Sequence, residues 1–175
     1  MQKLLLGMVL GALAATAAFG GTAALGKDKE GPCYIAPAAK DYPGDGALAR
    51  DIAAWMGEAA ARAGLPPELP VMAALVESGL RNLALGDADS AGYFQMRVSI
   101  WNRGEYFGYE TRPELQLKWF IDYAIAAKAR RIADGLPIDE RFYGEWVADV
   151  QRPPEELRFR YQLRLAEARD LLLKK

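Results

Sequence analysis

A glutamate at the end of an apolar run is the residue of this sequence best suited to acid–base chemistry. Glu77 follows the run VMAALV at residues 71–76, and it is followed by Ser78 and Gly79, which are poor helix-interior residues. Apolar neighbours raise the pKa of a carboxylic acid, so such a group can keep its proton near neutral pH. It could then protonate the oxygen of a glycosidic bond. The alternative is an ordinary surface glutamate at a helix terminus.

An aromatic and amide strip follows this glutamate at residues 92–95 and consists of Gly92, Tyr93, Phe94 and Gln95. An amide side chain both donates and accepts hydrogen bonds, so Gln95 could orient a sugar acetamido group or the acid itself. It could equally hold its own loop in place. Tyr93 and Phe94 could form the wall of a cleft, or one of them could belong to the core.

These two segments together resemble the lytic transglycosylase SLT family, which has the fold of goose-type lysozyme. Members carry a Glu-Ser pair at a helix end and, further on, a Gly-Leu-Met-Gln or Gly-Leu-Phe-Gln strip. The resemblance is detailed over residues 73–97, where the sequence is similar to members from actinobacteria and their phages. A looser resemblance extends from residue 46 to the C-terminus. It implies an enzyme that cleaves peptidoglycan glycan strands, with Glu77 as the catalytic acid and Ser78 and residues 92–95 at the substrate.

The resemblance also implies how the reaction would end. Glu77 would act first as acid and then as base, and the C6 hydroxyl of the sugar would attack to give a 1,6-anhydro-muramoyl end. A hydrolytic lysozyme would instead need a second carboxylate to position water. The sequence offers no clear second acid, because Asp87 and Asp89 are expected to bind loop backbone amides. An inactive wall-binding or virion structural module with the same fold is a further alternative.

A third part of the site is expected near the end of the segment WVADVQRP at residues 146–153. This segment resembles a stretch of the same relatives that lies near their cleft. Many bacterial members have an Asn-Ala-Gly strip, which this sequence lacks. Gln151 and Tyr161 are therefore the candidates for substrate contacts in this region.

The composition argues against several other kinds of site. The chain has 175 residues, a net charge of −1, no histidine and one cysteine. The lack of histidine excludes histidine-based triads and zinc motifs, and the single Cys33 excludes an intramolecular disulfide and a multi-cysteine metal site. The balanced charge gives no nucleic-acid footprint. Residues 87–92 begin like a calcium loop but lack its later ligands. We therefore expect no metal, no cofactor and no nucleic-acid partner.

The N-terminal 45 residues have the pattern of an export segment and a linker. Residues 1–26 contain one charge, Lys3, and predict a secretory signal peptide or an N-terminal membrane anchor, since residues 4–25 are just long enough to span a bilayer. Residues 27–45 are rich in proline and glycine and predict a linker. We therefore expect a protein of the periplasm or cell wall, free or tethered to the membrane. A phage virion or lysis protein is an alternative.

The elements that must position these residues are predicted to be helices. Helical periodicity predicts a mainly α-helical, lysozyme-like domain over residues 46–175. The predicted helices cover residues 46–64 (capped by Asp45), 67–79, 113–134, 139–151 and 154–173. Leu157, Tyr161, Leu165, Ala168 and Leu172 of the last helix are expected to pack inward.

Two other stretches carry open alternatives. Residues 80–97 are predicted to form the active-site loop, in which a hairpin over residues 83–95 is conceivable. Trp101, Tyr106, Phe107 and Tyr109 form either a saccharide-binding rim or a satellite hydrophobic cluster. Lys128, Arg130 and Arg131 at the end of a predicted helix are expected to be solvated, and attraction to an anionic cell wall is the alternative.

Overall fold

The structure, a computed structural model, describes residues 41–84 and 87–173, and of Asp87 it describes the backbone alone. The predicted export segment, residues 27–40 of the predicted linker and Cys33 lie outside these residues. Within the described part, no helix is long and apolar enough to cross a membrane.

The described residues are mainly α-helical, and this prediction of the fold class is confirmed. Two short strands pair antiparallel, with Ser90 opposite Arg97 and Ala91 opposite Met96, so the hairpin lies slightly later than expected. The elements in chain order are α1 (Ala49–Arg62), α2 (Glu68–Glu77), β1 (Ser90–Ala91), β2 (Met96–Arg97), α3 (Val98–Trp101), α4 (Pro113–Ala133), α5 (Tyr143–Gln151) and α6 (Leu165–Leu173).

Helix α2 lies at the centre of the fold. Residues 69–74 are all buried, and the helix packs against α1, α5 and α6. A sequence that is apolar nearly all round a helix predicts this position, because no face is suited to water. The helix ends at Glu77, and Gly79 follows in the left-handed region at φ 64°. Glu77 is therefore delivered at the end of the most buried helix.

The start of the domain differs from the prediction. Helix α1 begins at Ala49 without a side-chain cap, so the predicted cap by Asp45 is wrong. The Asp45 carboxylate instead accepts hydrogen bonds from the Tyr42 hydroxyl and from the side-chain amide of Asn82, the latter at 2.9 Å. The ring of Tyr42 packs edge-on against Trp55, with 5.0 Å between ring centroids. Tyr42 thus packs on the domain, although it falls within the predicted linker.

The predicted helix over residues 154–173 is wrong in its first half. Two 3₁₀ segments, Glu155–Arg160 and Gln162–Arg164, precede α6. Tertiary contacts outweigh local helix preference here, because Arg158 pairs with two carboxylates of α5 and Gln162 lies against Gly144. A Cβ atom on Gly144 would lie 2.5 Å from the backbone nitrogen of Gln162.

The residues of this segment that were expected to pack inward differ in their burial. Tyr161 and Ala168 are buried as expected, and Leu165 and Leu172 are partly buried against the core. Leu157 is 36% exposed, so the prediction that it packs inward is wrong. Its side chain lines a surface cavity at the end of α2, and residues 155–160 form a 3₁₀ segment there in place of the predicted α-helix.

The basic end of α4 is only partly solvated. Arg130 is exposed as expected. Arg131 is only 5% exposed, so the prediction that it is solvated is wrong. Its guanidinium donates to the Asp149 carboxylate at 2.6 Å and twice to the carbonyl oxygen of Pro137. These bonds compensate the loss of hydration and tie α4 to α5, which begins at Tyr143 rather than at residue 139.

The aromatic residues before α4 are mostly packed together. Tyr109 is fully buried and donates to the carbonyl oxygen of Met96, and Tyr106 is buried and donates to Asp122. Trp101 packs edge-on against Trp119, with 5.3 Å between centroids. The hydrophobic cluster is therefore the correct alternative for these three residues. Phe107 is 70% exposed.

Candidate active site

A surface cavity of about 240 Å³ opens at the C-terminal end of α2. Four segments meet there: the end of α2, the turn between β1 and β2, the end of α5 and the 3₁₀ segments after it. The lining residues are Val76, Glu77, Phe94, Gln95, Gln151, Pro153, Pro154, Leu157, Arg160 and Tyr161. Within the described part of the chain, Glu77 is the one carboxylate of this lining.

The carboxyl group of Glu77 is held by a tyrosine. The Tyr161 hydroxyl donates a hydrogen bond to Oε1 of Glu77 at 2.5 Å. Burial raises the pKa of Glu77 above its usual value, and the Tyr161 hydrogen bond and the charge of Arg160 lower it by less. Burial has the larger effect because it removes water from the charged form. The site therefore favours a protonated carboxyl group more than open solvent does.

The hydroxyl of Tyr161 stays protonated. The side chain is 1% exposed, and burial together with the negative charge of Glu77 raises the pKa of Tyr161 well above its usual range. A protonated phenol donates one hydrogen bond, and here that bond fixes one of the two carboxyl oxygens. The hydroxyl thus limits the orientations that Glu77 can adopt.

Phe94 and Gln95 reach the cavity from the turn between the strands. The ring of Phe94 stacks on Phe120, with 4.8 Å between centroids, which anchors the turn in the core. Gln95 lies in the left-handed region at φ 48°, and its Nε2 donates to the carbonyl oxygen of Gly92 at 2.9 Å. Gln95 therefore holds its own loop while one face of it lines the cavity.

Gln151 contributes a buried donor that lacks a partner. Its Nε2 is buried and has no hydrogen-bond partner among the described residues. An unpaired buried donor costs about 1–3 kcal/mol, and a ligand that accepts a hydrogen bond there would recover part of that cost. Because Gln151 also lines the cavity, it is suited to hold a carbonyl oxygen of a ligand.

Three predicted contact residues do not line the cavity. The Ser78 hydroxyl donates to the carbonyl oxygens of Ala74 and Tyr93 at 3.1 and 2.9 Å, which fastens the loop to the end of α2. Tyr93 is fully buried, and its hydroxyl lies 2.9 Å from that of Tyr42. Gly92 is also buried. The structure gives these three residues the role of supporting the loop.

Sequence reasoning missed Gln116 in α4. This side chain is 0% exposed and joins three loop segments. Its Oε1 accepts from the backbone nitrogen of Tyr93, and its Nε2 donates to Asn82 and to the carbonyl oxygen of Tyr109, all at about 3.0 Å. The available signal was a lone amide on the apolar face of α4, four residues before Phe120.

Asp89, one of the two candidate second carboxylates, does not line the Glu77 cavity. The Asp89 carboxylate accepts from the backbone nitrogen of Ser99 at 2.9 Å and from the Arg97 guanidinium, and these bonds lower its pKa. Asp89 thus binds a backbone amide as expected, but that amide lies in the first turn of α3 and not in the loop. The side chain of Asp87 lies outside the described part. Among the described residues, no group of three histidine, cysteine or acidic side chains could hold a metal ion.

Comparison with known proteins identifies no relative of this chain. No family model matches the sequence, and no curated protein and no solved structure matches it either. The cavity itself and the resemblance of its motifs are therefore the features that point to a function.

The raised pKa of Glu77 predicts how stability changes with pH. The folded protein holds this proton more tightly than the unfolded chain does, so this contribution is lost as pH rises through the folded-state pKa. The variant Glu77→Gln does not ionise. We expect the melting temperature of the variant to rise relative to that of the wild type as the pH increases. The difference between them should be more positive at mildly alkaline pH than at a pH below the usual glutamate pKa. Thermal unfolding of both proteins across pH measures this, and a constant difference would contradict it.

Proposed function

We propose that this protein is a lytic transglycosylase with a lysozyme-like fold that cleaves the MurNAc–GlcNAc β-1,4 bond of peptidoglycan. The observation that carries the proposal is the state of Glu77: a half-buried carboxyl group with a raised pKa, fixed by Tyr161, at the wall of an open cavity. A general acid that works near neutral pH needs these properties. The motif resemblance of residues 77–95 supports the same reaction.

In the proposed reaction, Glu77 moves one proton in each direction. The protonated carboxyl group donates to the glycosidic oxygen as the bond from that oxygen to C1 of the MurNAc residue breaks. The resulting carboxylate then accepts the proton of the C6 hydroxyl of the same sugar, while the C6 oxygen bonds to C1. Because Tyr161 donates to Oε1, the Oε2 atom is left for the substrate, and the same hydrogen bond stabilises the carboxylate between the two steps.

The rest of the lining suits an N-acetylated sugar. The unpaired Nε2 of Gln151 can donate to an acetamido carbonyl oxygen. Apolar surface from Pro153, Pro154 and Leu157 can pack against the methyl group and the ring face. Arg160 adds a positive charge at the rim, near the carboxylate that forms during the reaction.

Transglycosylation is favoured over hydrolysis because, among the described residues, Glu77 is the one carboxylate that lines the cavity. A hydrolytic enzyme of this kind uses a second carboxylate to activate water, several ångströms from the first. Asp89 is engaged by Arg97 and Ser99 instead. Peptidoglycan lies outside the cytoplasm, so the proposal includes export through residues 1–26 or tethering by them.

Digestion of purified peptidoglycan with the full-length protein tests the proposal. We expect muropeptides that end in 1,6-anhydro-MurNAc, which are lighter by one water than hydrolysis products and do not react with borohydride. Mass spectrometry with and without borohydride distinguishes the two, and peptidoglycan incubated without protein is the control. Reducing ends would establish a hydrolase, and no cleavage by folded protein would overturn the proposed activity.

A further inference from the structure

A second pocket, of about 440 Å³, is rich in arginine. It lies where the end of α4, the end of α5 and the following 3₁₀ segment meet. Its lining consists of Arg130, Arg131, Asp134, Leu136, Ala148, Asp149, Arg152, Pro153 and Arg158. Four of these side chains are guanidinium groups and two are carboxylates, so the pocket carries an excess of positive charge.

This basic pocket adjoins the cavity of Glu77, because Pro153 lines both. Helix α5 ends at Gln151, which lines the Glu77 cavity, and the next residue, Arg152, lines the basic pocket. Arg152 adopts left-handed backbone angles, φ 56° and ψ 49°, which separates the directions of these two consecutive side chains. The same alternation recurs further on, where Leu157 lines the cavity and Arg158 lines the basic pocket.

Two of the four arginines are already neutralised. The Asp149 carboxylate accepts hydrogen bonds from Arg131 at 2.6 Å and from Arg158 at 2.7 Å. Arg158 also donates to Glu145, which lies outside the lining, at 2.7 Å. These four groups balance one another in charge. Their role is to build a rigid wall from α4, α5 and the 3₁₀ segment.

The other two arginines remain available to a ligand. Arg130 and Arg152 are exposed, and neither side chain has a hydrogen bond or ion pair within the described part of the chain. Asp134 is the one lining carboxylate that could offset them. A guanidinium group binds carboxylate and phosphate oxygens in a planar, two-pronged arrangement. A pair of free guanidinium groups beside a rigid wall is suited to an oxyanion.

We propose that this basic pocket binds an anionic oxygen group that the glycan strand carries beside the bond being cleaved. The inference rests on the proposed function, since it assigns the substituent of the same substrate. A MurNAc residue in the Glu77 cavity bears a peptide stem on its lactyl group, and the stem has carboxylates. Phosphodiester-linked wall polymers offer the same oxyanion chemistry. Arg130 and Arg152 are the residues that contact it.

Binding of the full-length protein to insoluble peptidoglycan tests this site. All proteins carry Glu77→Gln so that binding is measured without cleavage. The test variant adds Arg130→Ala and Arg152→Ala. The matched control adds Arg103→Ala and Arg112→Ala instead, which change the net charge by the same amount. Arg103 and Arg112 are exposed and line neither pocket. Glutamine substitutions at positions 130 and 152 repeat the test with longer side chains if the alanine variant unfolds.

We expect the test variant to bind intact peptidoglycan about tenfold more weakly than its parent, the effect of losing a charge-assisted contact. The control should bind nearly as well as the parent. Raising the salt concentration should reduce the difference, because exposed charges are screened. An equal loss in both double variants, no loss in either, or no binding by the parent would overturn the proposal.

Chemically stripped substrates identify the source of the oxyanion. If peptide carboxylates are bound, the difference between parent and test variant disappears on glycan strands freed of stems by an amidase. If phosphate is bound, it disappears instead after hydrofluoric acid has removed phosphodiester-linked polymers. A difference that survives both treatments would overturn the site. Product analysis of the wild type judges the proposed reaction separately. If the wild type releases 1,6-anhydro-MurNAc products and the binding test fails, this inference alone is refuted.

Discussion

Replacing Glu77 with glutamine should lower the rate of glycan cleavage by about a thousandfold, within the range for removal of a general acid. The expected cause is chemical, since a carboxamide is nearly the same size and still accepts the hydrogen bond from Tyr161 but has no acidic proton. Release of soluble muropeptides from purified peptidoglycan measures the rate. The variant should remain folded, because burial disfavours the charge that the substitution removes.

Two further variants separate this effect from simpler ones. Glu77→Asp keeps the acid but withdraws it by one methylene, so its activity should be low yet measurable. Glu114→Gln makes the same chemical change on an exposed residue in the first turn of α4, outside the Glu77 cavity, and should leave the rate unchanged. Full activity in Glu77→Gln would assign the reaction to another group.

Gly92→Ala should destabilise the protein by about 3 kcal/mol. An added Cβ would lie 2.4 Å from the side-chain carbonyl group of Gln116. Overpacking of this kind costs about 1–3 kcal/mol, and the left-handed angle at Gly92, φ 82°, adds about 1–2 kcal/mol for a residue with a side chain. Urea denaturation measures the free energy of unfolding.

The matched control for this substitution is Gly64→Ala. Gly64 has a similar left-handed angle, φ 71°, but an added Cβ there would meet nothing within 4 Å. Its cost should therefore be the conformational part alone, about 1–2 kcal/mol. The difference between the two variants isolates the contact with Gln116. Equal costs would show that the loop moves aside, and the buried amide would then be less restrictive than its three hydrogen bonds suggest.

The local sequence pattern predicted the helices that carry the site, but it did not predict the side-chain contacts within the site as well. The apolar sequence of α2 and the Ser78-Gly79 pair place Glu77 at a helix end, because burial and chain termination are both local properties. Gln95, Gln151 and Tyr161 were found through motif resemblance. The structure brings all three to one cavity with Glu77.

Contacts between distant segments could not be predicted in the same way. The bond from Tyr161 to Glu77 joins residues 84 positions apart, and no periodicity encodes such a pair. The buried state of Arg131 depends on Asp149 and Pro137, which lie on other segments. The 3₁₀ path of residues 155–164 likewise follows from the pairing of Arg158 with α5, although its local sequence favours an α-helix.

The distance along the chain between Glu77 and Tyr161 has a consequence for biosynthesis. Chains are made from the N-terminus and begin to fold in that order. A nascent chain that has emerged only as far as α5 contains Glu77 and Gln95 but lacks both the phenol and the 3₁₀ wall. Its glutamate lacks the phenol that orients it and the segment that completes its burial. The surroundings of this carboxyl group are thus completed only when the C-terminal segments have folded, so a partly synthesised chain lacks the site that we propose.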